Sequence, residues 1–129
     1  MDTAGVSQKY RVLAADDDPD ILKMISLMLE REGFVVETLL NAVSLDDKIL
    51  QERPHIILLD IHMHDINGSD LCRELKKSIL TRGIPVLIIS ADDNVKSIAQ
   101  LCGADGHVSK PFGPKELIEK ISGLVKKGN

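Results

Sequence analysis

Ile56-Ile57-Leu58-Leu59-Asp60 decides how this chain is read. An apolar run with strand propensity drives straight into a carboxylate. A strand buried on both faces reads as a continuous apolar run rather than an alternating one, and such strands belong to parallel sheets covered by helices. Upstream, Val12-Leu13-Ala14-Ala15 does the same and ends in Asp16-Asp17-Asp18. Open α/β sheets gather their chemistry where the strands end. If these two strands are neighbours, Asp16, Asp17 and Asp60 share one cleft. At ~4 Å and an effective dielectric near 20, each like-charged pair costs roughly 4 kcal/mol. Such a cluster calls for a cation or a proton, and its hard oxygens suit Mg²⁺ or Mn²⁺.

Working outward, strand and helix signals alternate along the whole chain. The first strand is expected over Arg11–Ala15. The first helix opens at Asp18-Pro19, a cap followed by proline in the first turn, carries Ile21, Leu22, Ile25, Met28 and Leu29 on one face, and stops at Gly33. Met24 and Leu27 widen that apolar arc. The second strand spans Phe34–Leu39. The second helix spans Val43–Glu52, with Leu45, Ile49 and Leu50 as its apolar side and Pro54 as its stop. After the third strand, Ile56–Asp60, the third helix runs Ser69–Leu80. The fourth strand is Pro85–Ser90, the fourth helix Asn94–Cys102, ended by Gly103, and the fifth strand Gly106–Ser109. The fifth helix begins near Pro114 and carries Leu117, Ile118, Ile121, Leu124 and Val125. Residues 1–9 are polar and expected to fray.

Strand–helix alternation with short connections means right-handed βαβ units. Five such units predict an α/β fold, a flavodoxin-like (βα)5 three-layer sandwich whose five-stranded parallel sheet has the order 2-1-3-4-5. That order makes the first and third strands neighbours. Asp16, Asp17, Asp60, the Ser90 hydroxyl and the Lys110 ammonium then collect in one cleft.

The chain's 129 residues suffice for one domain with a real core. A net charge of −4 argues against broad electrostatic capture of nucleic acid or an anionic membrane. The aromatics are Tyr10, Phe34 and Phe112, too few for a stacking platform. Cys72 and Cys102 lie in helical patterns and read as buried thiols of a reducing compartment. With no leader pattern and no run of membrane-spanning length, a cytoplasmic location is expected.

Each cleft residue has a part in phosphoryl transfer. Asp60 is a carboxylate nucleophile able to form an acyl phosphate. A divalent cation would bridge Asp60, Asp17 and the incoming phosphoryl oxygens, with Asp16 acting mostly through water. Lys110 offers a point charge and Ser90 a hydroxyl to phosphoryl oxygens, and Ala91 leaves room for the donor.

Asp16-Asp17, then Asp60-Ile-His-Met-His-Asp-Ile-Asn-Gly68, Ser90-Ala91 and Lys110-Pro111-Phe112 together resemble the receiver (phosphoacceptor) domain of two-component response regulators. The resemblance covers about residues 9–127, so the chain is expected to be a single receiver domain over 1–129. It implies that the phosphoryl donor is a phosphohistidine of a sensor histidine kinase or histidine phosphotransfer protein, with Asp60 the acceptor. It implies a metal site of Asp16, Asp17, Asp60 and the backbone carbonyl of His62, and a cis Lys110–Pro111 peptide. The resemblance further implies a module that signals rather than catalyses turnover, though promoting its own phosphorylation and dephosphorylation. On phosphorylation Ser90 would move inward, His107 would follow, and the surface of the fourth helix, fifth strand and fifth helix would change its preference for a downstream effector protein, a fused output domain or a second copy in a dimer. Direct nucleic-acid or membrane partners are not expected. Departures from the family are His64 where proline is usual, His107 at the switch aromatic, Ser90 for threonine and His55 where an acid is frequent.

Other readings fit less well. A small Asp-nucleophile phosphatase generally needs an acid/base Asp two residues past the nucleophile, where this chain has His62. A flavodoxin-type phosphate cradle would be repelled by Asp16-Asp17-Asp18. His62-Met63-His64 resembles an HxH metal motif, but Ile66 stands where the HxHxD hydrolases carry aspartate, so a polar loop carrying histidines is the expectation.

Overall fold

The computed structural model describes residues 9–128; the expected fraying of the first eight residues lies outside them. Strands β1 (Arg11–Ala15), β2 (Val35–Leu39), β3 (Ile56–Asp60), β4 (Val86–Ser90) and β5 (Gly106–Ser109) alternate with helices α1 (Pro19–Arg31), α2 (Leu45–Glu52), α3 (Gly68–Lys77), α4 (Val95–Cys102) and α5 (Pro114–Gly128). All strand pairings are parallel, in the order β2-β1-β3-β4-β5. The predicted fold class and strand order are both observed.

The continuous apolar runs have the expected cause. Along β3, Ile56 and Leu58 face one helical layer, while Ile57 and Leu59 face the other. Leu22, Ile25 and Leu29 of α1 and Leu117, Ile121 and Val125 of α5 fill the first layer. Leu45 and Ile49 of α2, Leu71, Cys72 and Leu75 of α3, and Val95, Ala99 and Cys102 of α4 fill the second. Each fully buried Leu or Ile contributes about 1.5–3 kcal/mol relative to exposure, so two filled faces fix the register of every central strand. Both cysteines are buried thiols.

Caps set the helix ends. Asp18 accepts the Asp20 N–H at the start of α1, with Pro19 at the first turn. Asn67 caps α3 through the Ser69 N–H. Gly103 ends α4 at φ 81°. The end of α2 differs from expectation: Arg53, not the following proline alone, turns the chain at φ 46°. The Arg11 guanidinium donates to the carbonyls of Glu52 and Arg53 there, at 2.7 and 2.8 Å, and satisfies a helix end that lacks a glycine.

Two helices are shorter than their apolar patterns suggested. The third stops at Lys77 rather than Leu80 because the Thr81 hydroxyl takes the Leu75 carbonyl at 2.7 Å and Ser78 turns to extended backbone. Ile79 and Leu80 are consequently 77% exposed. The second begins at Leu45 rather than Val43, and Leu50 is 61% exposed while Leu45 and Ile49 carry the burial.

Candidate functional site

The adjacency of β1 and β3 brings the carboxylates of Asp16, Asp17 and Asp60 together, with one oxygen of each within 4.8 Å of the others. Asp16 and Asp60 are buried and Asp17 lies partly open to solvent. Asp16 is committed at both oxygens: Oδ1 accepts the Asp18 N–H at 2.9 Å and Oδ2 accepts Lys110 Nζ at 2.8 Å. The same ammonium lies 3.5 Å from Asp60 Oδ1. The expectation that these acids require a cation is met in part by the chain itself.

The charges sort accordingly. Burial pushes the Asp60 carboxyl above the usual range, and the Asp16 charge adds to this; Lys110 opposes it, Asp17 reinforces it, and the His62 N–H opposes it again. Burial alone would lower Lys110. Its hydrogen bond to Asp16 and the charges of Asp60 and Asp16 outweigh that penalty and hold the ammonium above its ordinary value.

β4 and β5 bring the remaining groups. Ser90 is fully buried, and its Oγ accepts the Asp92 N–H at 3.0 Å. Its carbonyl accepts the Lys110 N–H at 2.8 Å, which ties the lysine backbone to the end of β4. Ala91 is exposed at the mouth. The Lys110–Pro111 peptide is cis. His107 pairs in register with Ile88 and is half-buried. Burial lowers its pKa, as do Lys120 and Lys96, against a smaller opposing effect of Glu116.

The loop joining β3 to α3 forms the outer wall. His62 Nε2 reaches Asp92 Oδ2 at 3.3 Å, and His64 Nδ1 reaches Asp17 Oδ2 at 3.3 Å. Met63 between them is buried. The loop closes on Gly68, whose N–H donates to the Ile61 carbonyl at 2.8 Å. A Cβ at Gly68 would overlap the carbonyl oxygen of Asp60, so only glycine lets the loop return so close to that strand end.

The chain is similar to known proteins in both sequence and fold. The response regulator receiver domain family matches residues 12–122. This chain belongs to that family. The receiver domain is 33% identical over 129 residues to the DNA-binding response regulator MtrA of Mycolicibacterium smegmatis, covering 98% of this chain and 54% of that protein. It thus spans about half the length of the curated relatives it matches. Among solved structures, the CheY-like response regulator receiver domain protein of Methanospirillum hungatei is similar with a TM-score of 0.84 at 29% identity, over 94% of this chain and 97% of that one. The chemotaxis protein CheY4 of Vibrio cholerae is similar with a TM-score of 0.82 at 25% identity, over 91% and 99%. Among the described residues, no helix is long and apolar enough to cross a membrane.

Within this receiver domain the three carboxylates form an all-oxygen donor set compatible with a divalent cation. The sequence pattern puts Asp16, Asp17, Asp60, Ser90 and Lys110 at or just past strand ends, as observed. It does not disclose three relationships. Lys110 holds Asp16 at 2.8 Å, a pairing the motif does not disclose. Gly68, which only closes the quoted motif before the third helix, packs on the Asp60 carbonyl. His55 had no role; its Nδ1 accepts the Arg11 N–H at 2.9 Å while its own N–H donates to the Arg11 carbonyl at 2.8 Å, so it completes the entry of β1 beside β3.

Proposed function

We propose that Asp60 is the phosphoacceptor of this receiver domain. One observation carries the reading: a buried carboxylate at the end of β3 faces an ammonium 3.5 Å away and shares its cleft with two further carboxylates. An Asp60 oxygen attacks the phosphorus of a phosphohistidine on a sensor histidine kinase or histidine phosphotransfer protein. The new O–P bond forms as the P–N bond breaks, and the departing imidazole nitrogen takes the electron pair and later a proton. Lys110 shifts its hydrogen bond from carboxylate to phosphoryl oxygen. Ser90 Oγ is already an acceptor toward Asp92, so its own proton is available to another phosphoryl oxygen. Exposed Ala91 keeps the approach open. A bound Mg²⁺ or Mn²⁺, held by Asp17, Asp60 and the His62 carbonyl and by Asp16 through water, would supply positive charge to those same oxygens. The full engagement of both Asp16 oxygens supports its indirect place in that set.

The module promotes its own phosphorylation and dephosphorylation and passes the result on. We place it in the cytoplasm, upstream of an effector protein or fused output domain. In the phosphorylated state Ser90 moves toward the phosphoryl group and His107 turns inward. The α4–β5–α5 surface then changes its preference for that partner, or for a second copy of the chain.

Incubation with a small-molecule phosphodonor and Mg²⁺ is expected to give one hydroxylamine-labile adduct by intact mass, abolished in Asp60→Asn. An undiminished adduct in that variant would remove Asp60 from the role. Ser90→Ala is expected to accept the phosphoryl group yet weaken its effect on partner binding, read by calorimetry with and without a phosphoryl mimic. Equal coupling in both proteins would refute the relay.

A further inference from the structure

We propose that His55 is a proton-operated latch on the entry of β1: its neutral imidazole clamps Arg11 beside β3, and protonation of the ring releases Arg11 and loosens the end of α2 with it. The clamp has two points. The Arg11 carbonyl accepts the His55 N–H at 2.8 Å, and the Arg11 N–H donates to His55 Nδ1 at 2.9 Å. The first backbone donor of β1 is thus held by a ring nitrogen rather than by a carbonyl of β3. Nδ1 accepts only while it carries no proton, so this bond requires the neutral tautomer with its hydrogen on Nε2.

The surroundings make the bond proton-sensitive. The Arg11 guanidinium donates onward to the carbonyls of Glu52 and Arg53, at 2.7 and 2.8 Å, so one residue carries both the start of β1 and the last turn of α2. The Tyr10 ring meets the imidazole edge to face, with centroids 5.2 Å apart and planes at 88°. The titratable groups gathered here are Tyr10, Arg11, Glu52 and Arg53, and among the described residues the charge that acts on the ring is that of Arg11. Burial lowers the His55 pKa, and the Arg11 charge lowers it further. A proton on Nδ1 would set one N–H against another and place a second cation beside the guanidinium. The acid frequent at this position in the receiver family could accept the same N–H, but it would attract Arg11 and lose its charge only near pH 4. Imidazole moves the release to mild acid, so the latch is a property of this chain. The sign follows from linkage. A base whose pKa is lowered in the closed state binds protons more readily once open. The latch is complete above about pH 6.5 and weakens as pH falls from there through the lowered value.

The test is NMR of the full chain between about pH 7.5 and pH 5. It follows the His55 ring nitrogens and the hydrogen-exchange protection of the Arg11 amide, corrected for the intrinsic exchange rate, with the amide of Ile88 in β4 as reference. In wild type the ring is expected in the Nε2-protonated tautomer at the upper pH, with a titration midpoint below about 6.5. Opening at Arg11 should rise by up to about tenfold per pH unit below that value, while Ile88 keeps its protection. His55→Asn places an uncharged carbonyl where Nδ1 stood, so Arg11 should stay protected at the upper pH and lose its pH dependence. A midpoint at or above 6.5, wild-type Arg11 protection that does not change with pH, or an Asn variant with the wild-type slope overturns the proposal. The wild-type measurements decide by themselves if the variant does not fold.

Discussion

Two acid–base contacts cross the same cleft at different depths. Lys110 and Asp16 meet at 2.8 Å with side chains 18% and 4% exposed. His62 and Asp92 meet at 3.3 Å with the imidazole 64% exposed. The deep contact offsets a concentration of buried negative charge, so it belongs to the stability of the fold. The rim contact is solvated and screened, so it adds little stability. Depth thus separates a contact that holds the fold from one that is free to affect only what happens at the surface of the cleft.

Breaking the deep contact is expected to give the largest effect. Lys110→Met leaves Asp16, Asp17 and Asp60 together without their internal cation. Removal of one partner from a buried pair costs about 3 kcal/mol or more, and urea unfolding in the absence of divalent ions should record a loss of that size. Mg²⁺ should then stabilise the variant by more than it stabilises wild type, for which a hundredfold excess over Kd contributes about 2.7 kcal/mol. A metal-free Lys110→Met as stable as wild type would mean that the ammonium does not offset the cluster.

Removing a charge from the same depth should act in the opposite direction. The folded pKa of Asp60 is raised, first by burial and then by Asp16. A carboxyl raised on folding binds protons more readily in the native state than in the unfolded one. Ionised Asp60 therefore destabilises the fold above its folded pKa, and the penalty fades as pH falls through that value toward the ordinary one near 4. Asp60→Asn should accordingly stabilise the metal-free protein at neutral pH by about 1 kcal/mol, a typical single-residue effect. The advantage should shrink on acidification. A gap between the two melting curves that widens toward low pH would contradict the sign of the shift.

The contrast in depth also explains what the sequence made legible. Strands buried on both faces leave no polar residue until they end, so Asp16, Asp17, Asp60 and Ser90 stand out as the first polar groups after apolar runs. Lys110 follows the short fifth strand directly, although that strand already carries His107 and Ser109. What the sequence did not disclose depends on contacts distant along the chain. A lysine does not announce which carboxylate it will hold, and Lys110 and Asp16 are 94 residues apart. The pairing of His55 with Arg11 spans 44 residues and exists only in the β1–β3 register. Ile79 and Leu80 continue an apolar pattern, yet a single hydroxyl, that of Thr81, ends the helix before them. Leu50 is out of phase because an eight-residue helix buries too narrow a stripe to include it.

At the rim the expected effect is smallest in stability and is read instead as a rate. Asp92 is held below the usual carboxylate range, first by the Asn94 N–H and then by the His62 ring, so it stays an acceptor for that ring at neutral pH. Together they form a bar at the rim between the loop after β3 and the segment after β4. Water that hydrolyses the acyl phosphate must reach phosphorus in line with the Asp60 oxygen, and a side chain at position 62 can order or exclude it. The ring is already engaged by Asp92, so shaping of water access is expected to exceed any proton transfer through it. His62→Ala should change the dephosphorylation rate severalfold while the melting temperature stays at the wild-type value. Mg²⁺ affinity should stay nearly unchanged, because the cation would use the backbone carbonyl at this position and not the ring. Phosphoryl lifetime followed by radiolabel loss, beside a thermal melt and a Mg²⁺ titration, separates these outcomes. An unaltered lifetime would show that the bar does not gate water, and a lost Mg²⁺ affinity would show that the side chain belongs to the deep site rather than to its rim.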